Sequence, residues 1–143
     1  MRVSEAMTRN VRIANPRQSI RQAAQVMATI DAGALPVGED GRLVGMITDR
    51  DIAVRAVANG KGPDAKVGEV MTKDVQYCFD DQDLDDVSQN MGDIQVRRLP
   101  VLDRDKRLVG ILSLGDLAII GAPGAAAAIG GVSRPGGAHS QTG

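Results

Sequence analysis

This chain carries one pattern of roughly 50 residues twice, and any fold it adopts must accommodate two copies of one unit. Displacing the sequence by 64 positions lays Val3-Ser4-Glu5-Ala6-Met7-Thr8 on Val67-Gly68-Glu69-Val70-Met71-Thr72, and Val11 on Val75. At the same displacement Met27 meets Met91, and Leu35-Pro36-Val37 meets Leu99-Pro100-Val101. After one inserted residue Arg42-Leu43-Val44-Gly45 meets Arg107-Leu108-Val109-Gly110, and Asp51 meets Asp116. At 143 residues the chain is long enough for one ordinary domain, or for two very small units sharing one core.

Each copy spells the same elements. In the first, Val11–Ile13 reads as a short strand, and Ser19 with Gln22 has the spacing of a capping box. Ile20, Ala23, Ala24, Met27 and Ile30 then form a helical apolar stripe, repeated by Leu84, Val87, Met91 and Ile94 behind the matching cap Asp83. Two strands follow in each copy, at 34–37 and 43–48, then at 98–101 and 108–113. Glu39-Asp40-Gly41 and the run Asp103 to Lys106 are the hairpin turns, where Gly and Asp tolerate unusual backbone angles. A second helix starts near Asp49 or Leu114; in the first copy Ile52, Ala53, Ala56 and Val57 are its apolar residues and Asn59-Gly60 ends it.

The expected fold class is therefore α/β (α+β), with two tandem βαββα units. The first spans 1–60, a linker 61–65, the second 66–121, and a Gly/Ala/Pro-rich tail 122–143. A helical turn at Ala125–Ile129 is one expectation within that tail.

Composition narrows the function. Tyr77 and Phe79 are the only Tyr, Phe or Trp residues, and the net charge is -1, so neither stacking platforms nor a basic face suits nucleic acid. No apolar run reaches the length of a membrane span, the start lacks the pattern of a secretory leader, and Cys78 has no second cysteine to pair with. A cytoplasmic location is the expectation. An enzyme would need converging reactive groups, yet the sole histidine, His139, lies in the tail, and Cys78 between Tyr77 and Phe79 reads as a small buried hydrophobe. Cys/His clusters for a metal and Gly-rich phosphate loops are both missing from the pattern. The acids Asp80, Asp81, Asp83, Asp85 and Asp86 suit a solvated first helical turn better than a metal site.

Met-Thr near each start, Leu-Pro-Val in the middle, and Gly45-Met46-Ile47-Thr48-Asp49-Arg50-Asp51 with Gly110-Ile111-Leu112-Ser113-Leu114-Gly115-Asp116 at the end closely resemble the tandem CBS domain pair, or Bateman module, in its stand-alone bacterial form. The resemblance covers about residues 1–120. It implies two units related by a pseudo-twofold axis, a non-catalytic regulatory role, and an adenosine-type nucleotide (AMP, ATP or NAD class) in clefts between the units. It also implies association as a homodimer through helical faces.

Residue chemistry gives that motif a rationale. A carboxylate accepts two parallel hydrogen bonds, which suits the 2′ and 3′ hydroxyls of ribose, so Asp51 and Asp116 are the ribose candidates. Thr48 and Ser113, each at a strand end before free helix N–H groups, are the phosphate candidates. The same residues also suit plain helix capping without a ligand; the resemblance tips Asp51 toward the ligand and leaves Asp116 between the two. In relatives, basic residues before the middle strand of one unit reach the phosphate held by the other. Arg97 and Arg98, with Arg50 nearby in sequence, are thus expected to favour the Thr48 motif, while the Ser113 motif gains no charge. Arg97 and Arg98 also fit a second description, as edge-strand charges that discourage aggregation. The rival function is an interaction module that dimerises or docks on a partner without a small ligand.

Overall fold

The structure, a computed structural model, describes residues 1–120. The expected tail at 122–143, its helical turn at Ala125–Ile129, and His139 lie outside the described residues. The chain forms two compact units, and their boundaries are not those of the sequence repeats: one comprises Arg12–Val75, the other Met1–Val11 with the chain from Gln76 onward. Each repeat thus gives its opening segment to the unit built by the other. The 61–65 stretch, read as a linker, lies inside the first of these, where the Pro63 and Ala65 carbonyls accept from the Arg21 and Ile20 amides.

In the 12–75 unit, α2 (Ile20–Ile30) is capped by Ser19, whose hydroxyl accepts from the Gln22 amide at 3.2 Å while the Gln22 side chain accepts from the Ser19 amide at 3.0 Å. Strands β1 (Ala34–Glu39) and β2 (Arg42–Thr48) pair antiparallel, joined through Asp40 and Gly41, both at positive φ as a tight two-residue hairpin turn demands. The strand expected at Val11–Ile13 is absent; its place is taken by Ala14 alone, bridged in parallel to Val37. Helix α3 (Val67–Val70) closes the unit.

The other unit repeats this plan. Helix α1 (Val3–Ala6) stands where α3 stands, β3 (Cys78–Phe79) pairs in parallel with β4 (Arg98–Leu102), β4 pairs antiparallel with β5 (Leu108–Ser113), and α4 (Leu84–Ile94) and α5 (Leu114–Ile120) supply the helices. The Asp103 carboxylate accepts from the Asp105 and Arg107 amides and Lys106 takes a positive φ, so three residues close this hairpin instead of two. Asp83 holds the N-cap position of α4, yet its side chain makes no capping bond.

Among the described residues the buried apolar ones gather into two clusters, one in each unit. Ile20, Met27, Leu35, Val37 and Ile47 pack with Val67, Val70 and Met71; Leu84, Met91, Leu99, Val101 and Leu112 pack with Val3 and Met7. The opening segments are thereby welded into their units by apolar burial, each side chain contributing about 1.5–3 kcal/mol. The α2 stripe is narrower than its spacing predicts, because Ala24 and Ile30 are exposed while Ile20, Ala23 and Met27 are buried. After β2 the chain turns into a π-helix over Asp51–Ala56. Its wider turn places residues five apart on one face, so Asp51 and Ala56 are both buried and the expected apolar residues Ala53 and Val57 face solvent. Gly60, at φ 77°, ends this region as its Asn-Gly signal predicts. Among the described residues no helix is long and apolar enough to cross a membrane.

Candidate functional site

The end of β2 delivers Thr48 to a helix start, and Thr48 and Asp51 cap each other there. The Asp51 amide donates to Thr48 Oγ1 at 3.0 Å, and Asp51 Oδ2 accepts from the Thr48 amide at 3.1 Å. The geometry recurs at the end of β5, where the Asp116 amide donates to Ser113 Oγ and Asp116 Oδ2 accepts from the Ser113 amide, both at 3.1 Å. The capping expected of these residues is therefore present in both units. A carboxylate has about four acceptor sites, so capping alone leaves acceptor capacity on each aspartate.

Each carboxylate has a further partner that the sequence reading did not assign. Thr72 Oγ1 lies 3.3 and 3.4 Å from the two oxygens of Asp51, and Thr8 Oγ1 lies at the same two distances from those of Asp116. These are the threonines of the doubled Met-Thr pair, and each reaches the aspartate of the other repeat. Backbone pairing holds them: Thr72 and Met46 exchange amide–carbonyl bonds of 2.8 and 2.9 Å, and Thr8 and Ile111 exchange bonds of 2.8 and 3.0 Å. The exact repetition of Met-Thr was the signal that could have found them; the repeat alone could not say which aspartate each threonine meets.

The two constellations are unequal. Asp51 is 8% exposed, and Arg55 Nε stands 3.7 Å from its Oδ1 while Arg55 also donates to the Met71 carbonyl at 3.1 Å. Asp116 is half-buried, and the sequence position matching Arg55 is Ile120. Arg50 is exposed on the first turn after Thr48. Arg97 and Arg98 are exposed members of the unit that holds Ser113: the Arg97 carbonyl accepts from the Leu114 amide, and Arg98 is the cross-strand partner of Ser113. Directly paired residues of an antiparallel ladder share a face, so the Ser113 motif has a cationic neighbour that the sequence reading did not expect. The corresponding partner of Thr48 is Ala34. Pairing of Arg98 with Thr48 is not a relation within either unit.

Cys78 is buried, and burial, with Asp80 adding to it, pushes its thiol up to about 12. Among the described residues no group of three or more His, Cys, Asp or Glu side chains could hold a metal ion.

The CBS domain family model matches residues 3–57 and 67–120, which together contain both constellations. The chain belongs to the CBS domain family. Similar to it is the CBS domain-containing protein YhcV of Bacillus subtilis, 44% identical over 117 residues that cover 82% of this chain and 83% of YhcV. Among solved structures, CBSX2 in complex with AMP matches with a TM-score of 0.74 at 28% identity, covering 84% of this chain and 95% of that one. The CBS domain pair of MJ0100, in complex with 5′-methylthioadenosine and S-adenosyl-L-methionine, matches with a TM-score of 0.73 at 30% identity, covering 84% and 94%. CBS pairs of this kind are regulatory modules, and those two solved neighbours bind adenosine-type ligands.

Proposed function

We propose that this chain is a non-catalytic sensor that binds an adenosine-type nucleotide of the AMP, ATP or NAD class on its two Thr/Ser-x-x-Asp turns. The observation that carries the reading is the repetition of one constellation: a carboxylate fixed at a helix start, with acceptor capacity to spare, in each unit. Asp51 and Asp116 take the ribose hydroxyls, and Thr48, Ser113 and the helix amides beside them take the phosphate end. Arg50, Arg97 and Arg98 are the cations proposed to meet the phosphate charge. The AMP of CBSX2 and the methylthioadenosine and S-adenosyl-L-methionine of MJ0100 support the ligand class.

Residence in the cytoplasm and assembly as a homodimer belong to the same proposal. Val54 and Val57, 47% and 67% exposed on and just after the π-helix, are apolar surface available to a second copy. That exposure also favours the rival reading, a module that docks without a small ligand. A thermal-shift screen with AMP, ATP, NAD and S-adenosylmethionine separates the two. A ligand at about 100 times its Kd stabilises the folded state by about 2.7 kcal/mol, whereas no shift with any of the four favours the docking module.

A further inference from the structure

From the doubled contact between threonine and aspartate we infer that Thr72 and Thr8 are positioning residues for the ligand-binding carboxylates, each supplied by the opposite repeat. The inference rests on the nucleotide-binding proposal and adds two residues that it does not require.

An aspartate carboxylate rotates easily about its last torsion, because that sp³–sp² bond has broad minima. Only one backbone hydrogen bond, from the Thr48 amide to Oδ2, holds the Asp51 carboxylate, and the Arg55 guanidinium stands off at 3.7 Å from Oδ1, so the plane is able to swing about the Thr48 contact. The Thr72 hydroxyl spans both oxygens, at 3.3 and 3.4 Å, and supplies the second point that fixes the plane. Asp116 is held in the same way by the Ser113 amide and Thr8. The contact is duplicated to a tenth of an ångström in two segments far apart in sequence, once at the buried Asp51 and once at the half-buried Asp116. The site is also built around it. A Cβ on Gly45 would lie 2.7 Å from the Thr72 carbonyl oxygen, and one on Gly110 would lie 2.8 Å from that of Thr8, so glycine in each strand is what lets the threonine segment come close enough. A vicinal diol donates to both carboxylate oxygens at once only when the carboxylate plane is turned toward its two hydroxyls, and an orientation fixed in advance removes an ordering cost from binding.

The test is a calorimetric titration of adenosine, which presents the ribose and base without phosphate, into wild type, Thr72→Val, Thr72→Ser, Thr8→Val and Thr8→Ser. Valine keeps the branched shape and removes the hydroxyl; serine restores it. The valine variants are expected to lose about three- to tenfold in affinity, each at one site only, with amide shifts weakening near Asp51 for Thr72→Val and near Asp116 for Thr8→Val. The serine variants are expected to bind as wild type does. If folded Thr72→Val and Thr8→Val bind adenosine like wild type, or if serine weakens binding as much as valine, the inference is overturned while the nucleotide proposal stands. Failure of wild type to bind adenosine, AMP, ATP, NAD and S-adenosylmethionine alike overturns the nucleotide proposal itself, and this inference with it.

Discussion

Gly45 and Thr72 are in backbone contact across the edge of β2: a Cβ on Gly45 would stand 2.7 Å from the Thr72 carbonyl oxygen and 2.8 Å from Met71 Sδ. Both obstacles belong to a segment locked by two backbone hydrogen bonds to Met46. Gly45→Ala should therefore destabilise the 12–75 unit by about 1–3 kcal/mol, the usual cost of overpacking. Gly110→Ala should do the same through Thr8 and Met7. Denaturant midpoints compared with an exposed control, Gly62→Ala, where a Cβ meets nothing within 4 Å, check the expectation.

Asp51 is capped, buried and paired with Arg55, so Asp51→Ala should cost about 0.5–2 kcal/mol of stability through the lost cap. It should also weaken nucleotide binding by about 1.5–3 kcal/mol, as expected for a hydrogen bond to a charged group. Calorimetry on the folded variant measures the second effect. Unchanged affinity would reduce Asp51 to a cap.

Arg98 provides a test that separates phosphate from ribose. Arg98→Ala should lower AMP affinity roughly ten- to a hundredfold, the worth of one charge-assisted hydrogen bond, and leave adenosine nearly unaffected. Raising the salt concentration should shrink the difference, because the arginine is exposed. Equal weakening of AMP and adenosine would remove Arg98 from the phosphate.

Cys78 predicts a loss of stability in alkali. Burial holds its thiol protonated in the folded state, pushed up to about 12 from an ordinary 9.0. The unfolded chain releases this proton first, so the contribution is fully present below pH 9.0 and is lost as pH rises toward about 12. Unfolding midpoints across that range should fall less steeply in Cys78→Ala than in wild type. A native thiol that reacts with iodoacetamide at neutral pH as fast as a free one would contradict the burial.

The Asp81 and Arg104 side chains form a two-bond ion pair at 2.7 and 2.8 Å, and the guanidinium lies 4.1 Å from the Phe79 ring centroid. The hydrogen bond from Arg104 holds the Asp81 carboxyl below the usual carboxylate range. Arg104→Ala should return it upward, as followed by NMR titration of the side chain. In wild type any stabilisation from the pair is present above the unfolded pKa and is lost as pH falls through the folded one.

Local signals were the most legible in sequence. Leu108–Ser113 is the strand its apolar pattern predicts, and Ser19 with Gln22 is the capping box its spacing predicts. Both signals are written in residues only a few positions apart. Three features were hidden for a common reason. The exchange of opening segments, the reach of Thr72 to Asp51, and the near-disappearance of the first strand into the Ala14 bridge are all decided by partners distant in sequence. A repeat shows which residues are equivalent and is silent about which copy packs on which. The π-helix was hidden differently: Ile52, Ala53, Ala56 and Val57 fit α-helical spacing, and only the burial of Asp51 with Ala56 reveals the wider turn.

Binding of an adenosine-type nucleotide to the two Thr/Ser-x-x-Asp turns is the center of this reading, and a titration of AMP into isotope-labelled protein, followed amide by amide, tests it most directly. The amides of Thr48, Asp51, Ser113 and Asp116 point into the capping geometry and should report any ligand on either carboxylate. Saturable shifts concentrated at these four positions are the predicted result. Spectra unchanged at millimolar AMP, or shifts confined to residues away from both turns, would contradict it.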